Sequence, residues 1–249
     1  MTFTMMLIVL VVGICAGFIN VLAGGGSLLT LPMLIFLNLP SAMANGTNRI
    51  AILAQNITAI ASFRNSGIFH WKLAVFLSFP AVLGSIAGSK MAIELSDDLF
   101  NRILSIVMIF VLITIVIKPQ RWFTKATSNM TTKKRILLFI VFLLVGFYGG
   151  FIQAGVGLVI VMMLTLTTGM NLVHINSLKV FIVAIYTLSS IIVFLLNDQI
   201  HWGYGLVLAL GNSIGAIIGS KSAVKKGEGF VRLVMVIAVV FMSVRLWFT

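Results

Sequence analysis

Gly13-Ile-Cys-Ala-Gly17-Phe-Ile-Asn20-Val-Leu-Ala-Gly24 returns 133 residues later as Gly146-Phe-Tyr-Gly-Gly150-Phe-Ile-Gln153-Ala-Gly-Val-Gly157. Outward from this pair, Gly84-Ser-Ile-Ala-Gly88-Ser-Lys90 recurs at a spacing of 131 as Gly215-Ala-Ile-Ile-Gly219-Ser-Lys221, and His70-Trp71 recurs at the same spacing as His201-Trp202. Arg49 and Arg102 have counterparts in Lys179 and Arg232, each 130 residues on. Matched stations in one order, drifting by only three residues, mark an internal duplication. In an apolar chain, duplication points first to a transporter.

The chain is apolar enough to be read that way. Hydrophobic residues make up 60% of it and charged residues 9%, with a mean hydropathy of +1.17. A soluble domain carries roughly a quarter charged residues, so the solvent here is lipid. No stretch is polar enough for a separate soluble domain. The net charge of +12 does not imply nucleic acid, because the cations sit mainly between apolar segments, where they set orientation. Cys15 is the only cysteine, which excludes an intrachain disulfide and a cysteine metal cluster. Met1 to Met6 contains no Lys or Arg, so the first apolar stretch reads as part of the fold and not as a signal peptide.

Each half offers the same series of segments. Met5 to Leu37 is interrupted by Gly24-Gly25-Gly26 and closed by Asn38-Leu39-Pro40; Ile136 to Thr168 is interrupted around Gly155-Val156-Gly157. Each is long enough for two shortened helices meeting at a glycine break, a hairpin that leaves and returns on one side. Three spans follow each hairpin: Met43–Phe63, Leu73–Ile93 and Leu99–Ile117, then Val173–Leu196, Gly203–Val224 and Phe230–Phe248. The pairs Gly84/Gly88 and Gly215/Gly219 let helix backbones approach closely, and packing is the simpler role for them.

A hairpin plus three spans makes an odd number of crossings, which turns the second half over. Charge agrees. In the inverted arrangement one face collects Arg64, Lys72, the central basic loop from Lys118 to Arg135, Lys221, Lys225, Lys226 and Arg232. The opposite face holds Lys90, Arg102 and Arg245 among four acids. The richer face is cytoplasmic by the positive-inside rule, which leaves both termini outside. The expected fold is an all-α integral membrane protein, a polytopic helical bundle of two inverted-topology repeats, each a Gly-broken helical hairpin plus three transmembrane helices. The first membrane repeat covers 1–118, a basic cytoplasmic linker 119–135 and the second membrane repeat 136–249.

Two cations belong to no loop. Arg49 and Lys179 each fall about six residues into the span after a glycine hairpin, roughly 9 Å along a helix. A charge at that depth costs at least about 2.5–3.5 kcal/mol and marks a pathway or site unless it snorkels to the headgroups. Its occurrence at matched positions of both repeats favours function. Asn45, Gly46, Thr47 and Asn48 precede Arg49; Asn176 and Ser177 precede Lys179; Asn20 and Gln153 sit at matched positions before the breaks. The breaks themselves, Gly24-Gly25-Gly26-Ser27 and Gly155-Val156-Gly157, expose backbone N–H groups at a positive helix end. Amides, hydroxyls, free N–H donors and a cation, with no carboxylate nearby, suit a small oxyanion.

All five acids fall in or near loops, so no proton relay or sodium site stands out, and no metal-ligand spacing or nucleophile–base pattern appears. His70-Trp71 and His201-Trp202 read as interfacial anchors. No enzyme activity, cofactor or metal is expected.

These residues resemble the TauE/SafE sulfite exporter family of membrane permeases. The resemblance is carried by Gly17 through Gly24-Gly25-Gly26-Ser27, Pro32, Leu39-Pro40 and Ala44-Asn45-Gly46-Thr47-Asn48, with a weaker copy from Gly146 to Gly157 and Ile175-Asn176-Ser177-Leu178-Lys179. It implies a bacterial inner-membrane permease for sulfite, thiosulfate or an organosulfonate, where the residues alone indicate a small anion. Arg49 and Lys179 are then expected to neutralise the anion, and Asn20, Thr47, Asn48, Gln153, Asn176 and Ser177 to orient it. Gly24, Gly25, Gly26, Ser27, Gly155 and Gly157 would offer backbone donors. The other readings are a passive anion channel and a non-transporting membrane assembly protein; a homo-oligomer stays open, and no nucleic-acid partner is expected.

Overall fold

The computed structural model describes residues 2–23, 25–64, 70–117, 131–170 and 172–222. Gly24, most of the expected linker and the expected span Phe230–Phe248 lie outside the described residues. Within them the chain is helical, without strands: α1 Phe3–Ala23, α2 Ser27–Phe36, α3 Ser41–Arg64, α4 Trp71–Glu94, α5 Asp97–Ile117, α6 Thr132–Phe151, α7 Val156–Thr168, α8 Leu172–Leu196 and α9 Trp202–Ser222. By length and hydropathy alone α1, α4, α6 and α8 qualify as membrane spans among the described residues. The protein is a multi-pass helical membrane protein. α3 is less apolar because Asn45, Asn48, Arg49, Gln55 and Asn56 lie on it, all buried against other helices.

The glycine interruptions fall where the sequence places them. α2 has ten residues and α7 thirteen, so at 1.5 Å per residue neither crosses a hydrocarbon layer of about 30 Å. α2 is buried from Ser27 to Ile35 despite Pro32 within it. The second break turns through Gln153 at φ 69° and Gly155 at φ 73°. Gly155 is well suited to that conformation; Gln153 adopts it against the usual cost to a residue with a Cβ.

Other junctions have identifiable stops. α3 starts after Pro40, with Asp97 Oδ1 accepting from the Ser41 N–H at 2.7 Å and the Asn101 side chain accepting from Ser41 Oγ at 3.1 Å. Asp97 and Asp98 also occupy the first turn of α5, where negative charge is favoured. α8 closes with Gln199 N–H donating back to Phe194 O at 2.8 Å and Asp198 at φ 55°. His201 then caps α9, its Nδ1 accepting from Tyr204 N–H at 3.3 Å. Trp71 and Trp202 are each about half exposed, at 50% and 49%, as suits rings at a membrane interface.

The helices exchange partners between the halves. α1 packs chiefly on α9 and α4 on α6, while α3 and α8 pack on each other and on α9 and α4 respectively. Both major crossings are parallel and built on glycine. A Cβ on Gly17 would lie 2.1 Å from Asn212 O, and one on Gly215 2.0 Å from Ile14 O. On the other crossing a Cβ on Gly84 would lie 2.0 Å from Leu143 O, and one on Gly88 2.0 Å from Phe147 O. The registers differ from the sequence pairing. Gly84 meets the turn at Leu143 and Phe147 as Gly211, not Gly215, meets Leu10 and Ile14; Gly88 and Gly215 then correspond. The seam on α9 starts one helical turn nearer its Trp than the seam on α4, a slip that a four-residue glycine period permits.

Candidate functional site

Arg49 is fully buried in the middle of this assembly. Its Nη1 donates to Gly149 O at 2.9 Å and to Gln153 Oε1 at 3.1 Å; its Nη2 donates to Asn45 Oδ1 at 3.1 Å and to Gly150 O. Asn45 Nδ2 in turn donates to Phe151 O at 2.6 Å. The break after α6 leaves these carbonyls without helical partners, at the negative end of the helix. α3 therefore supplies, from one face at positions four apart, a guanidinium and an amide that close the end of α6. The guanidinium carbon also lies 4.9 Å from the Phe194 ring centroid, and arginine over an aromatic face is itself favourable.

No carboxylate enters this group, and the buried polar side chains of the described residues include no Asp or Glu. Arg49 Nε, Asn48 Nδ2 and the Tyr186 hydroxyl are buried without a hydrogen-bond partner among the described residues. The first two are donors and the hydroxyl can donate or accept, while two acceptors, Gln55 Oε1 and Asn212 Oδ1, are likewise buried without a partner among the described residues. Lys179 is 8% exposed, and among the described residues no hydrogen bond or ion pair reaches its ammonium. Lys179 precedes Tyr186 by seven residues, which puts the two on one stripe of α8 about 10 Å apart along the axis. Tyr186 lies beside Gly149, and Arg49 lies against Phe194 further along the same helix. The two cations thus lie at different levels along α8.

The two breaks touch. Ser27 Oγ, at the start of α2, donates to Gln153 O at 3.3 Å, and Gln153 Nε2 donates to Thr187 Oγ1 at 3.5 Å. Gly26 and Gly155 cap α2 and α7 and have no side chain of their own to accept from the first N–H groups, and Gly25, Gly26, Gly155 and Gly157 are buried. Asn20 Oδ1 accepts from Gly26 N–H at 3.4 Å.

The remaining expected residues face elsewhere. Asn48 accepts from Thr30 Oγ1 at 2.7 Å on α2. Thr47 Oγ1 accepts from the His201 N–H at 2.9 Å and ties α3 to the start of α9. Ser177 Oγ donates to His174 O at 2.8 Å, one turn before Lys179, and Asn176 beside it is half-buried. Arg49, Gln153 and Ser27 are brought together; Thr47 and the Asn176–Ser177 pair are not part of that group.

Several polar residues here carry no sequence signal of their own. Ser89 Oγ donates to Gly150 O at 3.2 Å and is hydrogen-bonded to Ser190 Oγ, and Ser85 Oγ donates to Tyr186 O at 2.9 Å. Tyr148 donates to Ala154 O across the second break. Ser85 and Ser89 could be found through the glycines beside them; Ser190 and Tyr186 could not.

A buried arginine cluster without a carboxylate thus lies beside two helix breaks that touch, inside a multi-pass helical membrane protein. The sulfite exporter TauE/SafE family matches residues 9–246, and the chain belongs to that family. It is similar to proteins named as probable membrane transporters: one of Haemophilus influenzae, 28% identical over 94% of this chain and 91% of the relative; ORF9 of a Sinorhizobium species, 25% identical over 99% and 94%; and YfcA of Escherichia coli K12, 27% identical over 94% and 87%. No solved structure matches.

Proposed function

We propose that this chain is a permease for a small sulfur-containing anion, such as sulfite, thiosulfate or an organosulfonate, in a bacterial inner membrane with both termini outside. The observation that carries the reading is unbalanced charge. Arg49 and Lys179 are both buried, and among the described residues neither meets a carboxylate. Isolated buried charge is costly, and an anionic ligand relieves that cost while engaging the unpaired donors. Sulfur enters through the family; the residues specify the anion.

Arg49 and Lys179 serve as two charged stations along α3 and α8. Gln153, Asn48, Asn20, Asn176 and Ser177 orient the anion, and the starts of α2 and α7 offer backbone donors. Thr47 acts through the start of α9. Alternating access follows from two repeats of opposite direction. In support, α1 is parallel to α9 and α4 to α6. Thr47 on the first turns of α3 meets the start of α9, whereas the His70 and His174 rings, 4.9 Å apart, join the starts of α4 and α8. The first repeat then enters from the end at which α9 starts, and the second from the end at which α4 starts. The lack of a buried carboxylate among the described residues also favours passive flow as a second reading.

Uptake of labelled sulfite, thiosulfate or a short sulfonate into proteoliposomes tests the proposal. Saturable uptake that falls at least tenfold in Lys179→Met is expected. Uptake equal to that of empty liposomes for every sulfur anion tried would refute it. A dependence on an imposed proton gradient separates a coupled permease from a channel.

A further inference from the structure

We propose that the cavity between the starts of α4 and α6 is a binding site for the headgroup of an anionic phospholipid. The cavity encloses about 350 Å³ and is lined by Lys72, Leu73, Phe76, Arg135 and Leu138. That volume falls in the range of small-molecule pockets, roughly 300–1,000 Å³. Lys72 is the second residue of α4 and Arg135 the fourth of α6. The helices run parallel, so two positive helix ends and two side-chain cations converge on one opening. No acid lines it.

Its chemistry is divided as an amphiphile requires. Lys72 and Arg135 offer a phosphate an ammonium and a fork of guanidinium N–H groups. Below them the walls are Leu73, Phe76 and Leu138. Phe76 and Phe79 pack on Phe139 at centroid distances of 6.5 and 6.4 Å and stay exposed on the outer surface, where acyl chains lie. A basic recess between membrane helices, with an apolar exit to lipid, fits an anionic headgroup.

Two further observations separate this site from the transport path and from a packing requirement. About 13 Å further along α4, a Cβ on Gly146 would lie 2.1 Å from Ala81 O, so the backbones close the crossing and the recess is a dead end. The equivalent crossing of α1 and α9 lacks both cations: at the repeat spacings Lys72 corresponds to Gly203 and Arg135 to Thr2. The duplicated architecture is satisfied without them, and the cationic pair belongs to one end of the molecule alone.

The test is thermal unfolding of the purified full chain in neutral detergent. Added phosphatidylglycerol, phosphatidylcholine of the same acyl chains, and inorganic phosphate are compared. Phosphatidylglycerol is expected to raise the midpoint by several degrees more than phosphatidylcholine, with phosphate at equal concentration inert. Lys72→Ala/Arg135→Ala should lose most of that difference, and Lys90→Ala, a cation elsewhere, should keep it. The exchange Lys72→Arg/Arg135→Lys retains both charges and should retain the response. Native mass spectrometry of the parent protein, which needs no variant, should show phosphatidylglycerol held in preference to phosphatidylcholine. Equal shifts with both lipids, a full response in the double alanine variant, or a phosphate effect matching that of phosphatidylglycerol would overturn the proposal. The last outcome would make the recess a free-anion site.

Discussion

The guanidinium of Arg49 donates to the backbone carbonyl of Gly149 at 2.9 Å, so a side chain of the first half closes a helix of the second. With Gln153, Asn45 and Gly150 as further acceptors, the arginine acts as a structural clasp as well as a source of charge. A glutamine can serve only part of this set. Arg49→Gln is expected to lose about 3 kcal/mol of stability, two charge-assisted bonds at roughly 1.5 kcal/mol each, together with most anion uptake. Thermal unfolding and proteoliposome flux measure the two losses. A variant as stable as the parent would show that the α6 carbonyls need no arginine.

Lys179 should behave in the opposite way. Lys179 is 8% exposed and its ammonium has no partner among the described residues, so removing it relieves up to about 2.5–3.5 kcal/mol on insertion scales. Lys179→Met is therefore expected to unfold at the same or a higher temperature while uptake falls at least tenfold. Lost stability with full uptake would assign Lys179 to folding instead.

The glycine seams predict a sharp position dependence. Gly17→Ala and Gly84→Ala place a methyl 2.1 and 2.0 Å from the carbonyl oxygens of Asn212 and Leu143, and each should cost about 1–3 kcal/mol as the helices are pushed apart. Gly205→Ala meets Ile50 at 3.5 Å, ordinary contact, and should be neutral. Melting curves of the three variants decide it; a tolerated alanine at Gly84 would contradict the close crossing.

Thr47 tests whether a side chain that ties α3 to the start of α9 also serves the proposed anion site. Its hydroxyl oxygen accepts from the His201 N–H at 2.9 Å. Thr47→Val keeps the shape and removes the acceptor, at a cost of about 1–3 kcal/mol for the unpaired N–H. Uptake per folded molecule should change less than twofold. A tenfold loss at unchanged stability would place Thr47 on the anion.

Much of the helical series is legible before any coordinates, because glycine clusters and apolar runs are local. The predicted span Leu73–Ile93 is α4 at Trp71–Glu94, and Val173–Leu196 is α8 with one residue added. The glycine break at Gly155 is likewise visible, since a tight reversal selects glycine. The carbonyl partners of Arg49 are not, because every residue has a carbonyl oxygen and those of Gly149 and Gly150 become special only when a helix stops there. The seam register was hidden for a related reason: glycines four apart fit the same groove after a one-turn slip, so Gly84 aligns with Gly215 by spacing and with Gly211 by contact. Ser190 and Tyr186 were silent because serine and tyrosine are unremarkable on an apolar helix.

The exchanged pairing of α1 with α9 has a consequence for biogenesis. The ribosome completes α1 roughly 180 residues before α9 begins, on the order of ten seconds to half a minute at ordinary elongation rates. For that interval the notch at Gly13 and Gly17 faces acyl chains or an insertion factor, since the helix that fills it does not yet exist. The α4–α6 crossing can close before α9 exists, so the α1–α9 seam closes after it, and a polypeptide stalled before Trp202 leaves α1 unclaimed.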